Sequence, residues 1–475
     1  MDFSLALFLP EAFQCAVVLG LLLQSLSSSS VLRTDASWTP WAAALGIGAA
    51  YKGLDAAGIL FYGVYQVDAL SQFFKLAVAI GFFIATLNAS RQPTLEKEHE
   101  SDYFMFLAFS ALGLMFLASA VELVTVYVAL EISSYALYAV IPLRAQDKRA
   151  AEAGIKYILF GAAATALSLY GLSYVIASQH ATHIPTLATL DWTWEGQPMA
   201  VIGLTLFLAG MFYKLALFPF HFWAPDVYQG SSNETAAFVA TLPKLGAVVV
   251  LVRLAAVAHA GHELLTVFAV LGAASMTFGN LAALAQRDLK RMLGYSSVAH
   301  AGYVTLGLVS GTKAGLAAAA FYSLVYILMN LTCFWVLCRL ADQGQNLAYE
   351  DLDGLYKRSP WLAMVLAVAA FALVGLPPTA GFMGKLFLLT SAWNHGFDWL
   401  VVVAAVNTAF AIYYYLSMVR HAYTAEVDEA GLAPARVSRV ALFWGAGLAA
   451  VLLLLGAVPG PVFDLAMRAG AQLLP

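Results

Sequence analysis

Leu123-Val124-Thr125-Val126-Tyr127-Val128-Ala129-Leu130-Glu131-Ile132-Ser133-Ser134-Tyr135-Ala136-Leu137-Tyr138-Ala139-Val140-Ile141-Pro142-Leu143 is an apolar run, bounded by Glu122 and Arg144, with one carboxylate inside it. At about 1.5 Å per residue it is long enough, as a helix, to cross a hydrocarbon layer of about 30 Å. Glu131 then lies about 13 Å from the Glu122 end and about 20 Å from Arg144, near the middle of the layer. Runs of this length recur along the chain. Of its 475 residues 61% are hydrophobic and only 11% charged, with a mean hydropathy of +0.79, whereas soluble domains carry about 25% charge. An ordinary water-soluble fold is excluded, and the expectation is an all-α, polytopic membrane protein.

About fourteen spans follow from the hydropathy, starting near Ser4, Thr39, Asp68, Tyr103, Val121, Ala151, Ala200, Asn233, Glu263, Gly294, Gly315, Pro360, Asp398 and Ser438. Between the second and third, the alternation Tyr62-Gly63-Val64-Tyr65-Gln66-Val67 reads as a short hairpin at the membrane surface, since open strand edges cannot face lipid. Alternate loops differ sharply in basic residues. One set holds Arg33, Arg91, Lys97, Arg144, Lys148, Arg149, Arg287, Lys290, Arg291, Arg339, Lys357, Arg358, Arg420, Arg436 and Arg439; the other has little beyond Lys52, Arg253, Lys313 and Arg468. Cytoplasmic loops accumulate Lys and Arg, which places both termini on the outer side. The stretch Val462 to Pro475 reads as a short amphipathic surface helix. The first run, with Glu11 inside it, has neither the basic flank nor the cleavage site of a signal peptide and reads as a retained span.

The remaining composition excludes several functions. A net charge of -4 without any basic tract argues against nucleic-acid binding. Cys15, Cys333 and Cys338 form no CxxC and have no histidine partner spacing, so they read as apolar filler rather than cluster, zinc or disulfide ligands. There is no GxGxxG after a strand and no phosphate-binding GxxxxGK, so redox or nucleotide energy has to come from a partner.

Ionisable groups inside a membrane are costly and mark ion or proton paths. Besides Glu131, three lysines are enclosed by apolar sequence: Lys214, Lys244 and Lys385. One such lysine could snorkel or hold a structural ion pair. Three, with a glutamate at comparable depth, point to a chain of proton carriers, because burial and a neighbouring carboxylate act in opposite senses on a lysine's hold on its proton. A Glu131–Lys214 pair, when separated, would push a proton toward Lys244 and on to Lys385. His221, His300, Tyr303 and water are candidates to bridge the intervals, although a structural role is the commoner one for a single histidine. Lys156, four residues after Glu152, reads equally as a local i,i+4 pair or a proton-uptake group. Lys75 and Glu122 read as interfacial, and the tyrosine run at 413–415 as belt or packing residues.

Lys214 precedes Phe218-Pro219-Phe220-His221, and Lys385 follows Gly375-Leu376-Pro377-Pro378-Thr379-Ala380-Gly381. Pro219, Pro377 and Pro378 remove backbone donors, predicting two broken helices with hydrated pockets. Paired broken helices point to an inverted-repeat core. The expected division is N-terminal helices over 1–102, a five-helix repeat over 103–260, a second, inverted five-helix repeat over 261–425, and a last helix with a surface tail over 426–475.

The segments around Glu131, Lys214 through Gly230 (with Phe218-Pro219-Phe220-His221 and Pro225-Asp226-Val227-Tyr228-Gln229-Gly230), Lys290-Arg291-Met292-Leu293-Gly294-Tyr295-Ser296-Ser297 with His300 and Tyr303, and Gly381-Phe382-Met383-Gly384-Lys385 resemble the antiporter-like membrane subunits of proton-pumping NADH-quinone oxidoreductase, respiratory complex I, and within them the N type. The resemblance covers nearly the whole chain. It implies Glu131 and Lys214 as the coupled pair, Lys244 as central relay and Lys385 as terminal carrier. It also implies that NADH, flavin (FMN), iron–sulfur clusters and quinone belong to partner subunits and that the neighbours are the M-type and K-type membrane subunits, in a bacterial inner membrane. Ser231-Ser232-Asn233-Glu234 departs from the proline-containing pattern of that family and adds Glu234 as a charge on the uptake side. Two rivals remain: a subunit of a cation/proton antiporter or membrane-bound hydrogenase, and, from another class, a secondary solute transporter. A passive scaffold is the bland alternative.

Overall fold

A computed structural model describes residues 5–145, 147–259, 262–424 and 437–471. Ser4, Arg436 and the last four residues of the expected tail lie outside the described residues. The longer helices are α1 (Leu9–Ser25), α2 (Thr39–Lys52), α3 (Ala69–Asn88), α4 (Glu100–Ser119), α5 (Leu123–Val140), α6 (Lys148–Gln179), α7 (Pro198–Leu215), α8 (Trp223–Gly230), α9 (Asn233–Val239), α10 (Leu242–His259), α11 (His262–Leu284), α12 (Leu289–Val309), α13 (Lys313–Leu340), α14 (Pro360–Val374), α15 (Ala380–Ala392), α16 (Asp398–Thr424), α17 (Arg439–Ala457) and α18 (Gly460–Ala471).

Among the described residues, eleven helical stretches are long and apolar enough to cross a membrane. The expected count of about fourteen is not reached on that measure, for three physical reasons. α2 has only 14 residues, α12 is diluted by Gly294, Tyr295, Ser296, Ser297, His300, Gly302, Tyr303 and Gly307, and the stretch 360–392 is cut into two short helices.

Side-chain caps set several helix starts. Asp68 and Ser71 form a reciprocal capping box on α3, Glu122 accepts from Thr125 N at the start of α5, and Ser232, Asp288 and Thr312 cap α9, α12 and α13. Each satisfies amide donors that the first turn leaves free. The expected hairpin is present as β1 (Gly58–Leu60) paired antiparallel with β2 (Tyr65–Val67). It is pinned to the link between α4 and α5 by Val121 N donating to Val64 O at 3.1 Å.

α9 with α10, and α13, are enclosed by protein along their apolar windows, whereas α1, α6 and α17 bury a third of theirs or less. The buried elements carry the polar centre, and the exposed ones face lipid or neighbours. Where helices touch most closely, glycine permits it: a Cβ on Gly171 of α6 would lie 2.3 Å from Phe207 N of α7, and one on Gly279 of α11 2.6 Å from Ala299 N of α12. Such small-residue contacts are how helices pack tightly in lipid.

Candidate functional site

Both expected breaks are there. α7 ends at Ala216, which takes the left-handed conformation (φ 60), followed by a cis Phe218-Pro219 bond. α14 ends at Gly375 (φ 89), followed by cis Pro377-Pro378. A third interruption, at Ala240-Thr241 between α9 and α10, was not expected; Pro243 stands in the first turn after it. Lys214, Lys244 and Lys385 therefore sit beside a break, not deep inside continuous helices: Lys214 in the last turn of α7, Lys244 in the first turn of α10, and Lys385 in the second turn of α15.

The breaks leave helix-end carbonyls without amide partners, and two of the lysines answer them. Lys244 Nζ donates to Leu215 O at 2.8 Å, the last carbonyl of α7. Lys385 Nζ donates to Val374 O at 2.8 Å, the last carbonyl of α14. An ammonium at a helix C-terminus meets both an orphan acceptor and the negative end of the helix dipole. Neither lysine snorkels; they are 3% and 5% exposed.

Lys214 instead donates to the Tyr157 hydroxyl at 3.0 Å. Glu131 accepts from the Thr165 hydroxyl at 2.7 Å, and Glu131 and Lys214 form no direct ion pair but lie within electrostatic reach of each other. The interval between them is walled by phenol rings, with Tyr138 5.5 Å from Tyr157 and Tyr157 5.6 Å from Tyr213. Phenol packing holds the two charges apart at a distance where they still act on each other through a medium of low dielectric.

From Lys244 the polar line continues in two directions. Nζ is 3.2 Å from Ser297 Oγ, which in turn accepts from the Tyr228 hydroxyl at 3.3 Å. On the other side, Lys244 and His300 line a common cavity of about 10 Å³, the size of one water molecule. His300 is bound through both ring nitrogens, Nδ1 2.6 Å from the Tyr322 hydroxyl and Nε2 3.2 Å from the Tyr415 hydroxyl. Tyr303 places its ring 4.4 Å from Lys385 Nζ and its hydroxyl 2.9 Å from Thr408 Oγ1. Lys214, Lys244, His300, Tyr303 and Lys385 thus stand in one buried row.

Several expectations come out differently. His221 is buried among Phe218, Phe222 and Phe278, with Nδ1 lacking a partner; no hydrogen bond links it to a lysine of the row. Lys156 does pair with Glu152 at 2.7 Å, and equally with Asp226, which also holds Arg291. This clamp ties α6, α8 and α12 together. Lys75 is not interfacial: it is fully buried and 2.6 Å from Glu11, which also accepts from the Tyr65 phenol. Beside it Arg253 donates twice to Asp68, at 2.8 and 2.9 Å, and to Ala118 O. Arg253 and Lys290, counted among loop cations, are both buried; Lys290 donates to Ser231 O at 2.7 Å. Glu234 is buried as well, with Oε2 unpartnered, and within electrostatic reach of Lys290. In the tyrosine run, Tyr414 and Tyr415 are buried hydrogen-bonding members of the site rather than belt residues. Their spacing carried no signal, because the partners, Asn280 for Tyr414 and His300 for Tyr415, lie on other helices.

Fold and site define a class: a polytopic helical membrane protein whose broken helices enclose a row of lysines. Residues 120–411 match the family described as NADH:quinone oxidoreductase/Mrp antiporter, TM. The chain is 62% identical over 473 residues to NADH-quinone oxidoreductase subunit N 2 of Solidesulfovibrio magneticus, covering 99% of this chain and 100% of that one. It is 35% identical to the F(420)H(2) dehydrogenase subunit N of Methanosarcina mazei, covering 89% and 88%. Among solved structures, a chain of respiratory complex I from Thermus thermophilus with bound Aureothin superposes with a TM-score of 0.83 at 32% identity, covering 96% and 98%. The chain belongs to the NADH:quinone oxidoreductase/Mrp antiporter transmembrane family, and its similarity to N subunits runs over its full length.

Proposed function

We propose that this chain is a proton-translocating membrane-arm subunit of an NADH-quinone oxidoreductase, moving protons along Glu131, Lys214, Lys244, His300, Tyr303 and Lys385 while quinone is reduced in other subunits. One observation carries the reading: buried lysines stand at the helix breaks in a row, and the interval from Lys244 to His300 has room for one water. A proton held by Lys244 reaches the imidazole through that water when one of the two phenol partners gives up its nitrogen. NADH, flavin, iron–sulfur clusters and quinone are then the business of partner subunits, with M-type and K-type chains as the membrane neighbours. The name of the Methanosarcina mazei relative carries a different electron donor, which fits a proton module separate from the redox module. Residues 103–260 and 261–425 are the two inverted repeats of this reading, and the equivalent contacts of Lys244 with Leu215 O and Lys385 with Val374 O are the feature that supports the pairing. The membrane is a bacterial inner membrane with both termini periplasmic, on the loop-charge asymmetry.

The solute-transporter reading needs a cavity for a small molecule at the breaks, and a space of about 10 Å³ beside Lys244 is too small for one. The test reconstitutes the whole assembly in vesicles and compares Lys214→Ala and Glu131→Gln with the parent at matched rates of quinone reduction. Removing a proton carrier on the path lowers proton uptake per quinone in both. Normal pumping by both removes the assigned roles and leaves the scaffold reading.

A further inference from the structure

A cavity of about 460 Å³ opens where α2 begins, α3 and α13 end and α17 begins. These four ends lie on the side whose loops hold most of the Lys and Arg, remote from the lysine row. Trp41, Trp335 and Trp444 contribute indoles to its wall, and Ser90, Arg91 and Arg339 stand at its polar end. Arg91 is neutralised by Asp342 at 2.9 Å, both well exposed. Arg339 is different: 9% exposed, it has no carboxylate partner among the described residues, and its Nε finds no acceptor there. Its Nη2 is held by Leu87 O at 3.0 Å and Ser90 Oγ at 3.3 Å, and its guanidinium lies 4.2 Å above the Trp335 ring. The Trp335 indole nitrogen is likewise buried without a partner.

A largely buried guanidinium fixed over an indole at the polar end of an apolar cavity, with no carboxylate on it among the described residues, suits an anion that also carries hydrocarbon. Tryptophans and arginines at this depth are where headgroups and chains divide, and basic pockets between helix ends accept anionic lipid. We propose that this cavity holds one anionic phospholipid of the Lys/Arg-rich side, its phosphate on Arg339 and one acyl chain against Trp41 and Trp444. The positive charge of Arg339, unpaired among the described residues, selects an anionic headgroup over a zwitterionic one, and the apolar wall selects a lipid over free phosphate.

The test uses the intact assembly, washed in detergent and exchanged into nanodiscs of phosphatidylcholine with a minority of phosphatidylglycerol; lipid retained after a second wash is counted by native mass spectrometry. The parent retains about one phosphatidylglycerol at this site per chain. Arg339→Gln removes the charge, and Ala44→Trp fills the cavity while leaving both arginines. Arg339→Gln lowers retention about tenfold, the worth of one charged hydrogen bond, and Ala44→Trp lowers it at least as much by occupying the acyl-chain space, whereas Arg358→Gln, an arginine elsewhere on the same side, leaves it unchanged. Equal retention by the parent and Ala44→Trp, or equal retention of phosphatidylcholine, overturns the proposal. So does a photo-crosslinker at position 41 that captures a neighbouring subunit in place of lipid. The readout is lipid occupancy, so a failure here leaves the proton-path reading untouched.

Discussion

Glu11 and Lys75 sit in fully buried contact at 2.6 Å, next to the doubly bonded Asp68–Arg253 pair. Two anions and two cations cancel, which is the condition under which such groups are tolerated in a low-dielectric interior. Glu11→Gln leaves the Lys75 ammonium buried beside Arg253 without its counter-charge and is expected to cost about 3–5 kcal/mol, whereas the pair Glu11→Gln with Lys75→Met restores much of the loss. Thermal unfolding of the purified assembly, followed by solubility of this chain, measures both; equal loss in the single and double variants refutes the charge argument. Lys75 also shows the limit of reading charges along one dimension. Glu131, Lys214, Lys244 and Lys385 were legible because a charge in the middle of an apolar run has no bland explanation close by. Lys75 lies seven residues after Asp68, near enough to a helix start to pass for interfacial, and its partner Glu11 is on another helix.

At the scale of elements, the breaks at 218–219 and 375–378 were legible from proline, which cannot donate and which forces the preceding residue away from helical geometry. The interruption at Ala240-Thr241 was not, since Pro243 falls in the first turn of α10, where proline is compatible with an ordinary helix start. What makes a break functional is how closely its two halves meet. A Cβ on Gly381 of α15 would lie 1.8 Å from Ala372 O of α14, and one on Gly375 would lie 3.0 Å from Lys385 Cδ. Gly381→Ala therefore has to push α15 away from α14 and lengthen the Lys385–Val374 contact. Overpacking of this kind costs about 1–3 kcal/mol. Proton uptake per quinone is expected to fall with assembly intact, and Ser391→Ala, on the same helix but far from the break, is the matched control. Unchanged pumping in Gly381→Ala shows that the geometry of this break does not matter.

Across the whole molecule, the row runs from Glu131, close to the exposed Tyr135 and Val128 of α5, through the enclosed α10, α12 and α13 to Lys385. Its two halves meet around Lys244, which donates to Ser297 across the divide and shares a water-sized cavity with His300. Neither the cavity nor Tyr322 and Tyr415 as partners of His300 could be read from the chain, because they arise where α12, α13 and α16 converge. If a single water is the link, filling its space should break the row without touching a titratable group. Ala301 lines the cavity and is 2% exposed, so Ala301→Val adds two methyl groups where about 10 Å³ is available. Its packing penalty is about 1–3 kcal/mol, well below what unfolds an assembled membrane domain. Proton transfer between the halves should then be slowed while Lys244 and His300 keep their partners. Val304→Ala, which enlarges the same cavity, should leave room for water and leave transfer intact. Vesicle pumping at matched quinone turnover compares the two, and equal pumping by both variants and the parent means that protons cross by another route than the space between Lys244 and His300.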